Sequence, residues 1–239
     1  MPSPIFRGSP EPQMTALRED VILLEHSDPG ARGARLSTNA YAVLRPGRSL
    51  FIDANFSGLM PLVRQLADRG FVPAALVLSH RHVAGTGDAV HALATEYKMP
   101  VFMHPTDARH PQAATPRVRY EDPMGHALLS EFGLEAIHFP GHTSGHIALY
   151  QDANGGVLFT GDGAMGPTAV QSGSGVEHLV RPPAGLSTDD MQLREQWLSF
   201  SRPLTTVLPY HGTGYVDRGS DLARIMAPLT REQPTMGFD

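Results

Sequence analysis

The sequence predicts an α/β protein made of layered sheets, and three observations carry that expectation. Short apolar runs of strand length recur along the whole chain, and helical patterns alternate with them in two comparable halves. The 24 Gly and 21 Pro residues supply turns between many short elements.

In chain order, residues 1–17 read as a loose, Pro-rich arm, and residues 18–239 as one domain, with neither linker nor internal repeat. Val21 to Leu24 is a strand. Ala40 to Arg45 and Ser49 to Asp53 are two more, separated by the turn signal Pro46-Gly47. Leu59, Leu62, Val63 and Leu66 have helical spacing, with Ser57 as N-cap and Gly70 as stop. Ala74 to Ser79 is a continuous apolar run, as expected of a buried strand. A helix over Ala89 to Tyr97 and a strand over Val101 to His104 follow. Residues 105–123 hold four prolines and predict a long loop, and Met124 to Phe132 a short helix.

The second half resumes with strands at Leu134 to Phe139, His146 to Gln151 and Val157 to Thr160. The last two are joined by a hairpin turn over residues 152–156. Ser187 to Phe200 is a helix with Ser187 as N-cap, Thr205 to Pro209 a strand, and Gly219 to Leu229 a closing helix.

Composition excludes several classes of function. Hydrophobic residues make up 41% and charged residues 18%, enough for a packed core and against disorder. The net charge of -5 and the lack of a basic stripe argue against nucleic acid as a partner. Without Cys there is no disulfide, thiolate ligand or cysteine nucleophile. No apolar run is long enough to span a membrane and no signal-peptide pattern is visible, so a cytoplasmic location is the default expectation.

Chemistry concentrates at strand ends. His80 and His82 directly follow the buried Ala74–Ser79 run, and imidazole pairs of this kind suit zinc or iron. Phe139-Pro-Gly-His142-Thr-Ser-Gly-His146 offers two more histidines; either completes a three-His set while the other packs as support. Asp162 lies between Gly161 and Gly163, as a metal or water ligand or as a turn residue bonding its own backbone. His211 in Leu208-Pro-Tyr-His-Gly212 repeats the grammar of strand, His and Gly. Four such strand ends together point to one site built on a rigid scaffold. Tyr120, Tyr210, Tyr215, His178 and the loop 163–186 are candidates for lining its pocket.

The ordered set His80-x-His82, Gly141-His142-Thr143-x-Gly145-His146, Thr160-Gly161-Asp162 and His211-Gly212 resembles the metallo-β-lactamase superfamily, as do Asn39-Ala40-Tyr41 and Phe51-Ile52-Asp53. The resemblance implies an αββα sandwich with a metal site at one edge. It implies His80, His82 and His142 as ligands of a first metal, Asp162 as a bridge to a second, His211 as a ligand of that second metal, and His146 as a structural residue. The family's His-x-His-x-Asp-His motif departs here to Ala84 and Gly85, two ligands of the second position. Asp88, nearby, falls where the family has a glycine.

The expectation is therefore one zinc per chain and a hydrolase of an ester, thioester or lactone-like bond that uses a metal-bound hydroxide, with Asp162 or His211 as general base. A single-iron oxygenase on His80, His142 and Asp162 is the first alternative. A non-hydrolytic or catalytically silent member of the fold is the second. Restoring Asp at 84 and His at 85 is expected to recruit a second metal.

Overall fold

A computed structural model describes residues 12–28, 36–86, 88–153 and 155–233, without the side chains of 26–28 and 36. The strands are β1 (Gln13–Ala16), β2 (Val21–Asp28), β3 (Leu36–Arg45), β4 (Arg48–Ile52), β5 (Val72–Val77), β6 (Val101–Phe102), β7 (Tyr120–Glu121), β8 (Leu134–His138), β9 (Ile147–Gln151), β10 (Val157–Met165) and β11 (Thr206–His211). They form one hydrogen-bonded path, β7-β6-β5-β4-β3-β11-β10-β9-β8, with β2 beside β3 and β1 beside β2. The join between the two halves is narrow, a single registered pair of His211 with Thr38.

Side-chain alternation shows how this path folds on itself. Tyr41, Val43, Leu50, Ile52, Ala75 and Val77 of the first half pack with Leu134, Ile147, Leu149, Val157, Phe159 and Leu208 of the second in one central core. The residues between them face outward. Ala42, Phe51 and Leu76 meet the helices α1 (Leu59–Asp68) and, beyond α2 (Arg81–Ala84), α3 (Ala89–Tyr97) in a second core. Ala148, Leu158 and Val207 form a third core with Leu193 and Trp197 of a helix at Asp190–Ser199 and with Leu222 and Ile225. Three cores thus separate four layers, helix, sheet, sheet and helix, which is the αββα sandwich. Strands buried on both faces have no polar side, which is why the run at Ala74–Ser79 around β5 reads as continuously apolar. β10, equally buried, breaks the pattern only at Thr160 and at Asp162, which reaches the site.

Several expectations change. Residues 1–11 lie outside the described set, but Gln13–Ala16, read as part of a loose arm, pairs antiparallel with β2 and packs Met14 on the second core. The 105–123 loop carries a helical turn, α4 (Pro105–Ala108), a 3-10 turn at Pro111–Ala113 and the edge strand β7. The 124–132 helix shortens to α5 (Ala127–Glu131), capped by the His126 ring. The 163–186 loop contains the end of β10 and α6 (Ala169–Gly173), which has a full capping box between Thr168 and Gln171. Ser57 caps nothing: α1 starts after Gly58, which has a positive φ of 84°. The Asp190–Ser199 helix, α7, is capped by Asp189 rather than Ser187, because the Asp189 carboxylate accepts from Gln192 N at 2.9 Å. The final helix breaks into α8 (Leu222–Met226) between two 3-10 turns.

Candidate metal centre

The five residues singled out at strand ends arrive at one place. His80 follows β5, and His82 lies in the one-turn helix α2. His142 sits in the turn from β8 to β9, Asp162 within β10, and His211 closes β11. The ligand atoms of His80, His82 and His142 all lie within 4.8 Å of one another. His82 Nδ1 and His142 Nε2 are 3.0 Å apart. Asp162 Oδ2 faces His80 Nε2 at 3.5 Å, His142 Nε2 at 3.6 Å and His211 Nε2 at 3.8 Å.

Each of these side chains is held from behind. Ser79 Oγ lies 2.9 Å from His80 Nδ1, which leaves Nε2 facing the centre. Ser79 itself is fixed by its amide, which donates to Asp53 Oδ1 at 2.6 Å. Asp53 takes a left-handed backbone (φ 53°), is fully buried, and has its carboxyl pushed up to about 7 by that burial, against the opposing pull of the Ser79 donors. On the other side, Asn39 Nδ2 donates to the carbonyls of Pro209 and Gly212, and the Tyr41 hydroxyl to Pro209, so the chain around His211 is clamped by the start of β3. His211 Nδ1 is 3.2 Å from Ser37 O. A register shift in β10 at Gly161 turns Asp162 inward. Gly161 has a φ of 50°, and a Cβ there would lie 2.4 Å from Ser79 Oγ, so only glycine lets the two halves approach this closely.

Sequence reasoning missed Asp107. Its carboxylate is fully buried in α4 and accepts four hydrogen bonds: from Arg81 N at 2.8 Å, Arg81 Nη1 at 3.0 Å, Thr143 Oγ1 at 2.6 Å and Gly145 N at 3.0 Å. Arg81 stands between His80 and His82, and Thr143 follows His142. One carboxylate therefore sets the distance between the two histidine segments. Burial alone raises its pKa, but the Thr143 and Arg81 donors outweigh this and hold it below the usual carboxylate range. A signal is present, since Asp107 follows a strand end as the other site residues do, but the prolines around it mask it as loop. Asp107→Asn is expected to cost about 2–4 kcal/mol of stability and to weaken zinc binding about 10–100-fold. Denaturant melts and a competition titration measure the two; unchanged zinc affinity would remove Asp107 from the support of the site.

The donor set fits a transition metal. His80 Nε2 is buried without a hydrogen-bond partner, and so is Asp162 Oδ1. Buried polar atoms ordinarily find partners. Burial, reinforced by neighbouring histidines, holds the His80 imidazole well below its ordinary range and takes His142 down to about 2. Burial, with Arg81 beside it, also lowers His82. These rings are neutral and have lone pairs to share. A tetrahedron with metal–nitrogen bonds of about 2.0–2.1 Å has edges of about 3.3–3.4 Å; the His82–His142 pair at 3.0 Å is close to this, and all three imidazoles lie within 4.8 Å.

His146 behaves differently. It is fully buried, its Nδ1 is 2.9 Å from Phe139 O, and its ring centroid is 6.1 Å from that of His142, outside the converging set. Ala84 is buried and brings no ligand, and Gly85 has an ordinary helical φ of −93°. Asp88 is exposed at the start of α3. Of the pocket candidates, Tyr210 packs against the centre. Tyr120 lines a separate hollow of about 780 Å³ with Arg109 and Arg119, and His178 lines another with Arg224. Tyr215 is buried in the third core.

The family profile of the metallo-beta-lactamase superfamily matches residues 33–204. The hydroxyacylglutathione hydrolase of Pectobacterium carotovorum is 37% identical over 103 residues, 43% of this chain and 38% of that protein. That of Methylobacillus flagellatus is 31% identical over 123 residues, 50% of this chain and 44% of that protein. These matches span less than half the length of each relative. Among solved structures, the DIM-1 metallo-beta-lactamase superposes with a TM-score of 0.69 at 14% identity, covering 92% of this chain and 96% of that one. A metallo-beta-lactamase from Pontibacter korlensis gives 0.69 at 17%, covering 93% and 100%. Identities this low speak to the fold alone.

Proposed function

The chain belongs to the metallo-β-lactamase superfamily, and we propose that it is a hydrolase with one metal, zinc, held by His80, His82 and His142. Its substrate class is a small-molecule ester, thioester or lactone-like bond. The observation that carries this reading is the convergence of three neutral imidazoles within 4.8 Å, one of which, His80, turns a buried, unpartnered Nε2 to the centre. The hydroxyacylglutathione hydrolases it resembles make a thioester the first substrate to try.

Zinc held by His80, His82 and His142 would supply Lewis acidity, lowering the pKa of a bound water to about 7 and polarising a carbonyl. The protein's own share is positioning and proton handling. Asp162 and His211 form the base. With Nδ1–H of His211 donating to Ser37 O, its Nε2 faces Asp162 Oδ2 at 3.8 Å, too far for a direct hydrogen bond, so each stands as an acceptor in its own right. Burial raises the Asp162 carboxyl pKa, opposed by His211, which makes it a better proton acceptor than an ordinary carboxylate. Asp162 is buried while His211 is partly exposed, so His211 is the member that meets the leaving group and returns the proton to it.

The test is hydrolysis of a glutathione thioester, an aryl ester and a lactone by the purified chain, as isolated, chelated and re-zincated. Turnover of at least one substrate, lost on chelation and regained with zinc, is the expected result. Absence of hydrolysis in zinc-loaded protein leaves the silent reading. The iron set also converges here, since Asp162 Oδ2 is 3.5 and 3.6 Å from His80 and His142. One equivalent of iron in protein isolated without added metal would replace the zinc assignment with that one.

A further inference from the structure

Positions 84 and 85, as Ala and Gly, contribute no bulk to the side of the centre where Asp162 and His211 stand. A void lined by these residues would be destabilising in a close-packed interior. The space is taken instead by Tyr210. Its side chain is 1% exposed and belongs to the same apolar cluster as Val83 and Ala84. Its ring centroid lies 4.4 Å from that of His211, and it meets the His80 ring edge-on at 6.0 Å. Its hydroxyl donates to Thr86 Oγ1 at 3.2 Å. Thr86 Oγ1 in turn donates to the carbonyls of Asn55 and Val83, and Asn55 Nδ2 donates to the carbonyls of Val83 and Ala84. The phenol ring is thereby fixed at three points, His80, His211 and the 84–86 turn. Those are the borders of the ground a second metal and its ligands would need.

The geometry points to Tyr210 as a plug that closes the second metal position, a specificity-determining residue that holds the centre to one metal. This rests on the one-metal reading of the site. The absence of ligands at 84 and 85 and the tyrosine at 210 then act together, and supplying the ligands alone does not open the position. Backbone strain is not the obstacle. Gly85 has a helical φ, and a Cβ there would meet nothing nearer than His82 O at 3.7 Å. Nor does Tyr210 substitute as a ligand: its hydroxyl is committed to Thr86.

The test counts zinc per chain by native mass spectrometry after equilibration with excess zinc and desalting, with circular dichroism as the check on folding. The unaltered protein is expected to carry one zinc. A84D/G85H, which the sequence alone leads one to expect at two, is expected to carry one as well because Tyr210 remains, and A84D/G85H/Y210A two. A84D/G85H/Y210F, which keeps the ring, should stay at one. Two zinc ions in A84D/G85H with Tyr210 in place overturn the proposal, and that arm needs no truncation of the tyrosine. One zinc in a folded A84D/G85H/Y210A overturns it too, as does a second zinc in the Phe variant. No zinc in the unaltered protein is a different failure, that of the one-metal reading itself.

Discussion

His142→Ala is expected to abolish stoichiometric zinc binding, and His146→Ala to keep one zinc per chain and lose stability instead. His142 Nε2 is one of three converging nitrogens, 3.0 Å from His82 Nδ1 and 3.6 Å from Asp162 Oδ2. Removing it leaves two imidazoles, and the loss exceeds the 10–100-fold (roughly 1.4–2.7 kcal/mol) that removal of a supporting residue costs. His146 supports. Its Nδ1 is tied to Phe139 O and its ring packs 5.5 Å from that of His80. Truncation costs the hydrogen bond and opens a cavity, about 1–3 kcal/mol, with zinc affinity down by no more than about 100-fold. Zinc titration with a competing chelator and urea denaturation of both variants separate the two roles. Equal loss of zinc would make His146 a ligand in its own right.

The same pair shows what the sequence made legible. The four strand ends were visible because a buried strand is a plain apolar run and a functional residue just beyond it breaks the run with His or Asp. The choice between His142 and His146 was not visible from spacing. It depends on which ring turns inward at the end of β8, and only the family resemblance ordered the two. Asp107 stayed hidden for a related reason. Its role lies in four contacts to segments 26–38 residues away, and local pattern carries no trace of a long-range bond. Tyr210 was noticed as a pocket candidate, yet its place as filler depends on what is missing at 84 and 85, which is a property of packing. Caps failed in the ordinary way: Ser57 and Ser187 have suitable side chains, but the chain enters each helix one or two residues later.

Zinc affinity is expected to change less than about 10-fold between pH 7.5 and 5.5. Three unperturbed imidazoles with pKa near 6.5 would bind protons over that range and weaken the metal by about 10-fold each, or up to roughly 1000-fold together. Here burial and mutual repulsion have already done that work in the metal-free fold. His80 is held well below its ordinary value, His142 at about 2, and His82 is lowered as well, so protons do not compete with zinc until the solution is far more acid. The protein must stay folded for the measurement, and linkage gives the sign. A histidine whose folded pKa is depressed contributes stability that is complete above its unfolded value and is lost as pH falls from there toward the folded one. His80, His142 and His146, the last at about 4, together lose about 4 kcal/mol from pH 7.5 to 5.5. Asp53 has the opposite sign. Its carboxyl sits at about 7 in the fold, so protonation over the same range regains about 2 kcal/mol, and the raised Asp162 adds in the same direction. These groups net to a loss of about 2 kcal/mol, to which the lowered His82 and His104 add and which the raised Asp162 offsets. A loss of that order is small beside the roughly 5–15 kcal/mol of an ordinary domain. A zinc affinity that falls 100-fold or more by pH 5.5, in protein still folded by circular dichroism, would mean that the imidazoles titrate near 6.5 before the metal arrives. The site would then be assembled by zinc rather than waiting for it.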